Sequence, residues 1–317
     1  MKSKQILTWT ARFMLLLLLY IVLFIAGSIP LAGLLPDVAS EPGLLPNEIG
    51  LLVFGIANTL LIIGLILSSQ WHGWKLAITL SFAYYGAVTF LPQIESWYFL
   101  SNITVDEKIL TQLFVSGLPI AFIYIPLAVW ILGKWRPKTG SKSDPKEVMP
   151  AKQWLWKLAL IAVAYVLLYW NAGYFIAWQN PELRAFYGSP GEIVPFWQHT
   201  AATFSNDPGL FAFQILRGIL WALCAYPIIR GSKISTWFTA ILVGLLFTLP
   251  MILGLMLENP LMPSASVRLS HIIETGTSNF IFALIIVWLL HRPHSSVKDL
   301  FGIKPKIKSD TITKQFT

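Results

Sequence analysis

Gly86 to Pro92 reads GAVTFLP and Gly244 to Pro250 reads GLLFTLP, two punctuated apolar stretches 158 residues apart. At the same offset, Ala128 to Leu132 (AVWIL) is answered by Ile286 to Leu290 (IVWLL), and each is followed by an Arg-Pro step, at Arg136-Pro137 and Arg292-Pro293. A four-helix unit written twice accounts for both pairs. Tyr20 and Pro36-Asp37 match Tyr165 and Pro181-Glu182 at a shorter offset, whereas Leu51 to Phe54 matches Leu210 to Phe213 at a longer one. The difference places an insertion in the loop 179–208 of the second copy.

The chain is 56% hydrophobic and 12% charged, where a soluble domain carries about 25% charged residues. Crossing about 30 Å of hydrocarbon takes roughly 20 helical residues. Apolar runs of that order lie near 13–35, 50–68, 75–92, 111–132, 154–178, 209–228, 236–256 and 267–290. The predicted fold is an all-α integral membrane protein with eight transmembrane helices. Residues 1–133 form the N-terminal four-helix repeat, 134–153 a cytoplasmic linker, 154–292 the C-terminal repeat and 293–317 a basic tail. Four crossings return a chain to its starting side, so the repeats are parallel and related by an axis along the membrane normal. The start of the chain also resembles a signal peptide, with Lys2 and Lys4 before an apolar run. Its continuation past Pro30 to Leu35 and its counterpart in the second copy favour a span.

Lys and Arg set the orientation. With both termini cytoplasmic, they concentrate on the inside, at Lys2, Lys4, Arg12, Lys75, the 134–157 region, Arg230, Lys233 and beyond Leu290, leaving only Lys108, Arg184 and Arg268 outside. The expected location is the inner (plasma) membrane. The net charge of +8 then reflects topology and adhesion to anionic inner-leaflet lipids, and no nucleic acid partner is implied.

Ionisable residues at membrane depth are costly and need a reason. Arg217 lies about 12 Å below the outer end of the sixth span at 1.5 Å per residue. Arg268, His271 and Glu274 follow at i, i+3, i+6 on the eighth, which puts neighbouring members on one face. Asn171 and Gln214 fall in the same layer. The equivalent positions of the first repeat hold Asn58, Leu113, Ser116 and Ala26, so the second copy is the candidate working half. These six residues are the predicted ligand-binding set, in an outward-facing polar pocket capped by the inserted loop. Arg217 and Glu274 also suit a purely structural ion pair.

Five functional readings follow. The first is binding or translocation of a small anionic or lipid-derived molecule, attracted by Arg217 and Arg268. The second is a membrane-embedded enzyme acting on a lipid-linked or peptide substrate at the outer leaflet, with His271 as base or metal ligand and Glu274 orienting it. A scaffold or assembly factor without a small-molecule site is the third. A weak metal set, His199 with His271 and Glu274, lacks the His-Glu-x-x-His spacing of zinc proteases. A nucleophilic reading of Cys224 with Arg268 and His271 is opposed by depth, since Cys224 is near the cytoplasmic end of its span. No Gly-rich phosphate loop is present, and no cofactor is expected.

Overall fold

The computed structural model describes residues 3–137, 148–294 and 296–302. Half of the predicted linker and most of the basic tail lie outside the described residues. Within them the chain is helical, without strands. Helix α1 is Ser3–Ala32 and α2 is Asn47–Ser68. Helix α3 runs through Gly73–Tyr85, a π-helical stretch Gly86–Phe90 and Leu91–Leu100. Then come α4 (Glu107–Ile131), α5 (Ala151–Ala177), the short α6 (Pro181–Phe186) and α7 (Phe196–Asn206), followed by α8 (Pro208–Gly231), α9 (Thr236–Leu255), α10 (Ala265–Leu290) and α11 (Val297–Leu300).

Seven of these helices, α1, α2, α4, α5, α8, α9 and α10, are long and apolar enough to cross a membrane. Their outward faces carry exposed Leu7, Leu18, Trp130, Leu155 and Trp237, which suits lipid contact. This is the make-up of a multi-pass α-helical membrane protein. Sequence reading ended the third span at Pro92, but the helix continues. A proline ring collides with the carbonyl four residues earlier and donates no hydrogen bond. The wider turn just before Pro92, closed by Leu91 N–H to the Gly86 carbonyl, accommodates the ring without breaking the rod. The same device precedes Pro126 in α4, at Ile120–Tyr124. Through it α3 carries Glu95 into the bundle.

Helix α1 packs on α2 and α4, and α3 on α4; α5 packs on α8 and α10, and α9 on α10. Between these groups α2 meets α9 and α3 meets α8. Small residues permit the closest approaches, the usual means of association where lipid tails are as apolar as side chains. A Cβ on Gly27 of α1 would lie 2.4 Å from the Ser116 carbonyl oxygen of α4, and one on Gly218 of α8 would lie 2.8 Å from Tyr165 Cβ of α5. The connections α2–α3 and α8–α9 meet at one end, where Gln70 N–H donates to the Gly231 carbonyl (2.7 Å) and Lys233 N–H to that of Ser68 (2.9 Å). At this end Lys157 is fully buried. Its ammonium donates to the Arg292 carbonyl (2.8 Å), His294 Nδ1 (2.8 Å) and Met149 Sδ (3.3 Å), three acceptors for three protons.

Candidate functional site

At the opposite end of the bundle a cavity of about 620 Å³ opens between the two groups of helices. Its walls come from the last two turns of α3, the end of α5, the segment containing α6 and α7, and the first turns of α10. Sequence reading assigned the pocket to the C-terminal half. The structure builds it from both, because Gln93, Glu95, Tyr98, Phe99 and Leu113 belong to the first four helices.

Arg217 is 2% exposed and its carboxylate partner is Glu95. The expected Arg217–Glu274 pair is not formed. Arg217 Nη1 donates to Glu95 Oε1 (2.8 Å) and to Gln214 Oε1 (2.9 Å), and Nη2 donates to Glu95 Oε2. The guanidinium also lies over the rings of Tyr165 and Phe213, at 5.6 and 5.7 Å. Such a two-pronged contact fixes both side chains. Glu95 escaped sequence reading because it lay past the assumed end of its helix, among acidic residues assigned to the outer face.

Glu274 faces the cavity from α10. Its Oε2 meets His271 Nδ1 at 3.0 Å, and His271 Nε2 meets the Tyr187 hydroxyl at 3.1 Å. Sequence reading gave Tyr187 no contact with His271, since it lies in the inserted segment with no periodicity to reveal its direction. Burial pushes its phenol above the ordinary tyrosine value. His199 is stacked on Trp170 at 5.3 Å and flanked by Tyr174 and Trp178, and burial lowers it below the usual imidazole value. Trp170 Nε1 donates to Thr200 Oγ1 (2.9 Å), and the Tyr98 hydroxyl reaches both Asp207 oxygens (2.8 Å). These bonds hold α7 against the cavity, with Trp197 and Phe204 exposed on its other side.

The remaining candidates go elsewhere. Arg268 does not line the cavity; it is fully buried, donating from Nη1 to the Met262 and Pro263 carbonyls and from Nη2 to those of Glu41 and Pro42 at 2.7–2.9 Å. It staples the α1–α2 connection to the start of α10. Asn171 is on an exposed face and donates to the Leu167 carbonyl (2.8 Å). His199 is not gathered with His271 and Glu274, and among the described residues no group of three His, Cys, Asp or Glu side chains could hold a metal ion.

Below the cavity a narrow recess continues between Glu95, Arg217, Glu274, Ser278 and Asn279. The combination offers a roomy aromatic chamber with a polar floor, suited to a molecule with an apolar body and one polar end. Comparison with known proteins adds no relative: no family model, no curated protein and no solved structure matches the chain.

Proposed function

We propose that this is an eight-span membrane protein that binds a small amphipathic, lipid-derived molecule in a cavity open to the outer face. The observation that carries this reading is the chamber itself. Its volume lies within the range of small-molecule sites, about 300–1,000 Å³, and its walls are mainly apolar and aromatic with a few convergent polar groups, as in such sites generally. Sequence reading expected an anionic ligand as an alternative to a lipid-derived one. That choice loses support because neither Arg217 nor Arg268 lines the chamber, and each has its Nη atoms engaged by protein oxygens.

In the proposed architecture α3 is the eighth span, both termini are cytoplasmic in the inner (plasma) membrane, and α1–α4 and α5–α10 are two parallel repeats. Four pairings support duplication. Interchanging α1 with α5, α2 with α8, α3 with α9 and α4 with α10 turns each helix contact named above into another that is also made, including α2·α9 into α3·α8. The reciprocal hydrogen bonds between the α2–α3 and α8–α9 connections fit an axis passing between Ser69 and Ser232.

The test uses the uncharged fluorescent amphiphile N-phenyl-1-naphthylamine with protein in lipid nanodiscs. Saturable binding is expected, lost in Gly173→Leu, which puts a large side chain into the chamber. Absence of saturable binding, or equal binding by the variant, would reject the reading.

The hydrogen-bonded line Tyr187–His271–Glu274 favours one second reading, an enzyme in which Glu274 orients His271 as a general base. It requires His271 to act on a bound substrate, and a His271→Gln protein that retained full biological activity would eliminate it.

A further inference from the structure

Resting on the chamber as a binding site, we infer that its ligand is a lipophilic organic cation, an ammonium-bearing amphiphile, with Glu274 as counter-ion. Three carboxylates, Glu95, Asp207 and Glu274, line the chamber, and no Lys or Arg does among the described residues; Arg217, already matched by Glu95, lines only the recess beneath it. Two of them are already engaged. Glu95 is matched by Arg217, and Asp207 accepts the Tyr98 hydroxyl on both oxygens.

Glu274 is different. It is 6% exposed, and while Oε2 meets His271 Nδ1, Oε1 has no hydrogen-bond partner among the described residues. One neutral tautomer of His271 satisfies its whole neighbourhood, with Nδ1–H donating to Glu274 and Nε2 accepting from Tyr187. In this arrangement Glu274 has no Lys or Arg partner among the described residues, and in a largely apolar surrounding a carboxylate is stabilised by a cation brought against its free oxygen.

Three features leave room for a cation at Oε1. Gly173 faces it, and a Cβ there would already lie 3.7 Å from the oxygen. Tyr169, Trp170 and Tyr174 of the same helix line the chamber, and aromatic faces attract organic cations. Ser278 and Asn279, 8% and 7% exposed, line the recess with side chains that have no hydrogen-bond partner among the described residues. They offer oxygens to the N–H groups of a protonated amine.

Tetraphenylphosphonium and tetraphenylborate have the same shape and opposite charge, so the comparison of their binding, each corrected for its partition into empty zwitterionic nanodiscs, isolates the sign at the site. The phosphonium is expected to bind at least about tenfold more tightly than the borate, and Glu274→Gln to remove that preference, a tenfold change being about the scale of one desolvated cation–aromatic or charge contact. N-phenyl-1-naphthylamine should still bind the variant. Equal or tighter borate binding, or an undiminished phosphonium preference in Glu274→Gln, overturns the cation assignment while the neutral probe upholds the chamber. Should that variant not fold, the wild-type ratio of the two ions decides. Failure of all three probes rejects the chamber reading together with this one.

Discussion

Replacing Glu95 by Gln removes the carboxylate bonded to a guanidinium that is 2% exposed. Nη1 keeps the Gln214 oxygen, but Nη2 loses its charged partner, and Nε already lacks an acceptor among the described residues. Breaking a buried pair on one side typically costs about 3–5 kcal/mol, because an uncompensated charge is left behind. The Glu95 side chain is 28% exposed, so water reaches part of this pair and the expected loss is nearer about 2–4 kcal/mol. Replacing both partners, as Glu95→Gln with Arg217→Met, should recover most of that loss, since no buried charge then remains. Mixed-micelle unfolding of the wild type, both single variants and the double variant gives the coupling energy directly. The same cycle with Glu274 in place of Glu95 should give a coupling below about 1 kcal/mol, because no Arg217–Glu274 bond exists to lose. A Glu95→Gln protein within experimental error of the wild type, or stronger coupling to Glu274 than to Glu95, would refute the pairing.

Other expectations concern the ends of the bundle and its packing. Burial and the neighbouring Lys157, Arg292 and His291 push His294 down to about 4, below the ordinary imidazole value near 6.5. The unfolded chain then binds more protons between those values, so stability should be full above about pH 6.5 and fall as the pH drops towards 4, and thermal scans of His294→Asn should lack that part of the decline. Gly27→Ala forces a methyl group onto the Ser116 carbonyl and should cost about 1–3 kcal/mol, whereas Gly33→Ala, with nothing within 4 Å, should be close to neutral in the same unfolding assay. Arg268→Lys exchanges a fork serving four carbonyls for a point charge and should destabilise by about 2–4 kcal/mol. It should leave N-phenyl-1-naphthylamine affinity unchanged, which separates a staple from a ligand contact.

The apolar runs announced the seven helices now seen to be long and apolar enough to span, because about 20 apolar residues in succession have few other uses. Their partners were less legible. Helical spacing put Arg268 beside His271, but a long guanidinium side chain can reach back past its own helix start, and here it finds carbonyls freed by Pro42 and Pro263 at two connections. Arg217 and Glu274 shared a depth, yet depth says nothing of azimuth, and the bundle turns Arg217 towards α3. Pro92 looked like a helix end because a proline collides with the preceding turn, and only the widened turn at Gly86–Phe90 shows how the collision is avoided. Tyr187 and the stack around His199 depend on how the inserted segment folds back over the chamber, which no local pattern in that segment encodes.

The most direct test of an outward-facing ligand chamber is the accessibility of Ser189, an exposed residue on its wall. Ser189→Cys in a Cys224→Ala background would be treated with a membrane-impermeant maleimide in intact cells and again in the presence of N-phenyl-1-naphthylamine. Rapid labelling from outside, slowed by the amphiphile, is expected. Labelling only after the membrane is opened, or labelling indifferent to a saturating amphiphile, would contradict the proposed orientation or the chamber's occupancy.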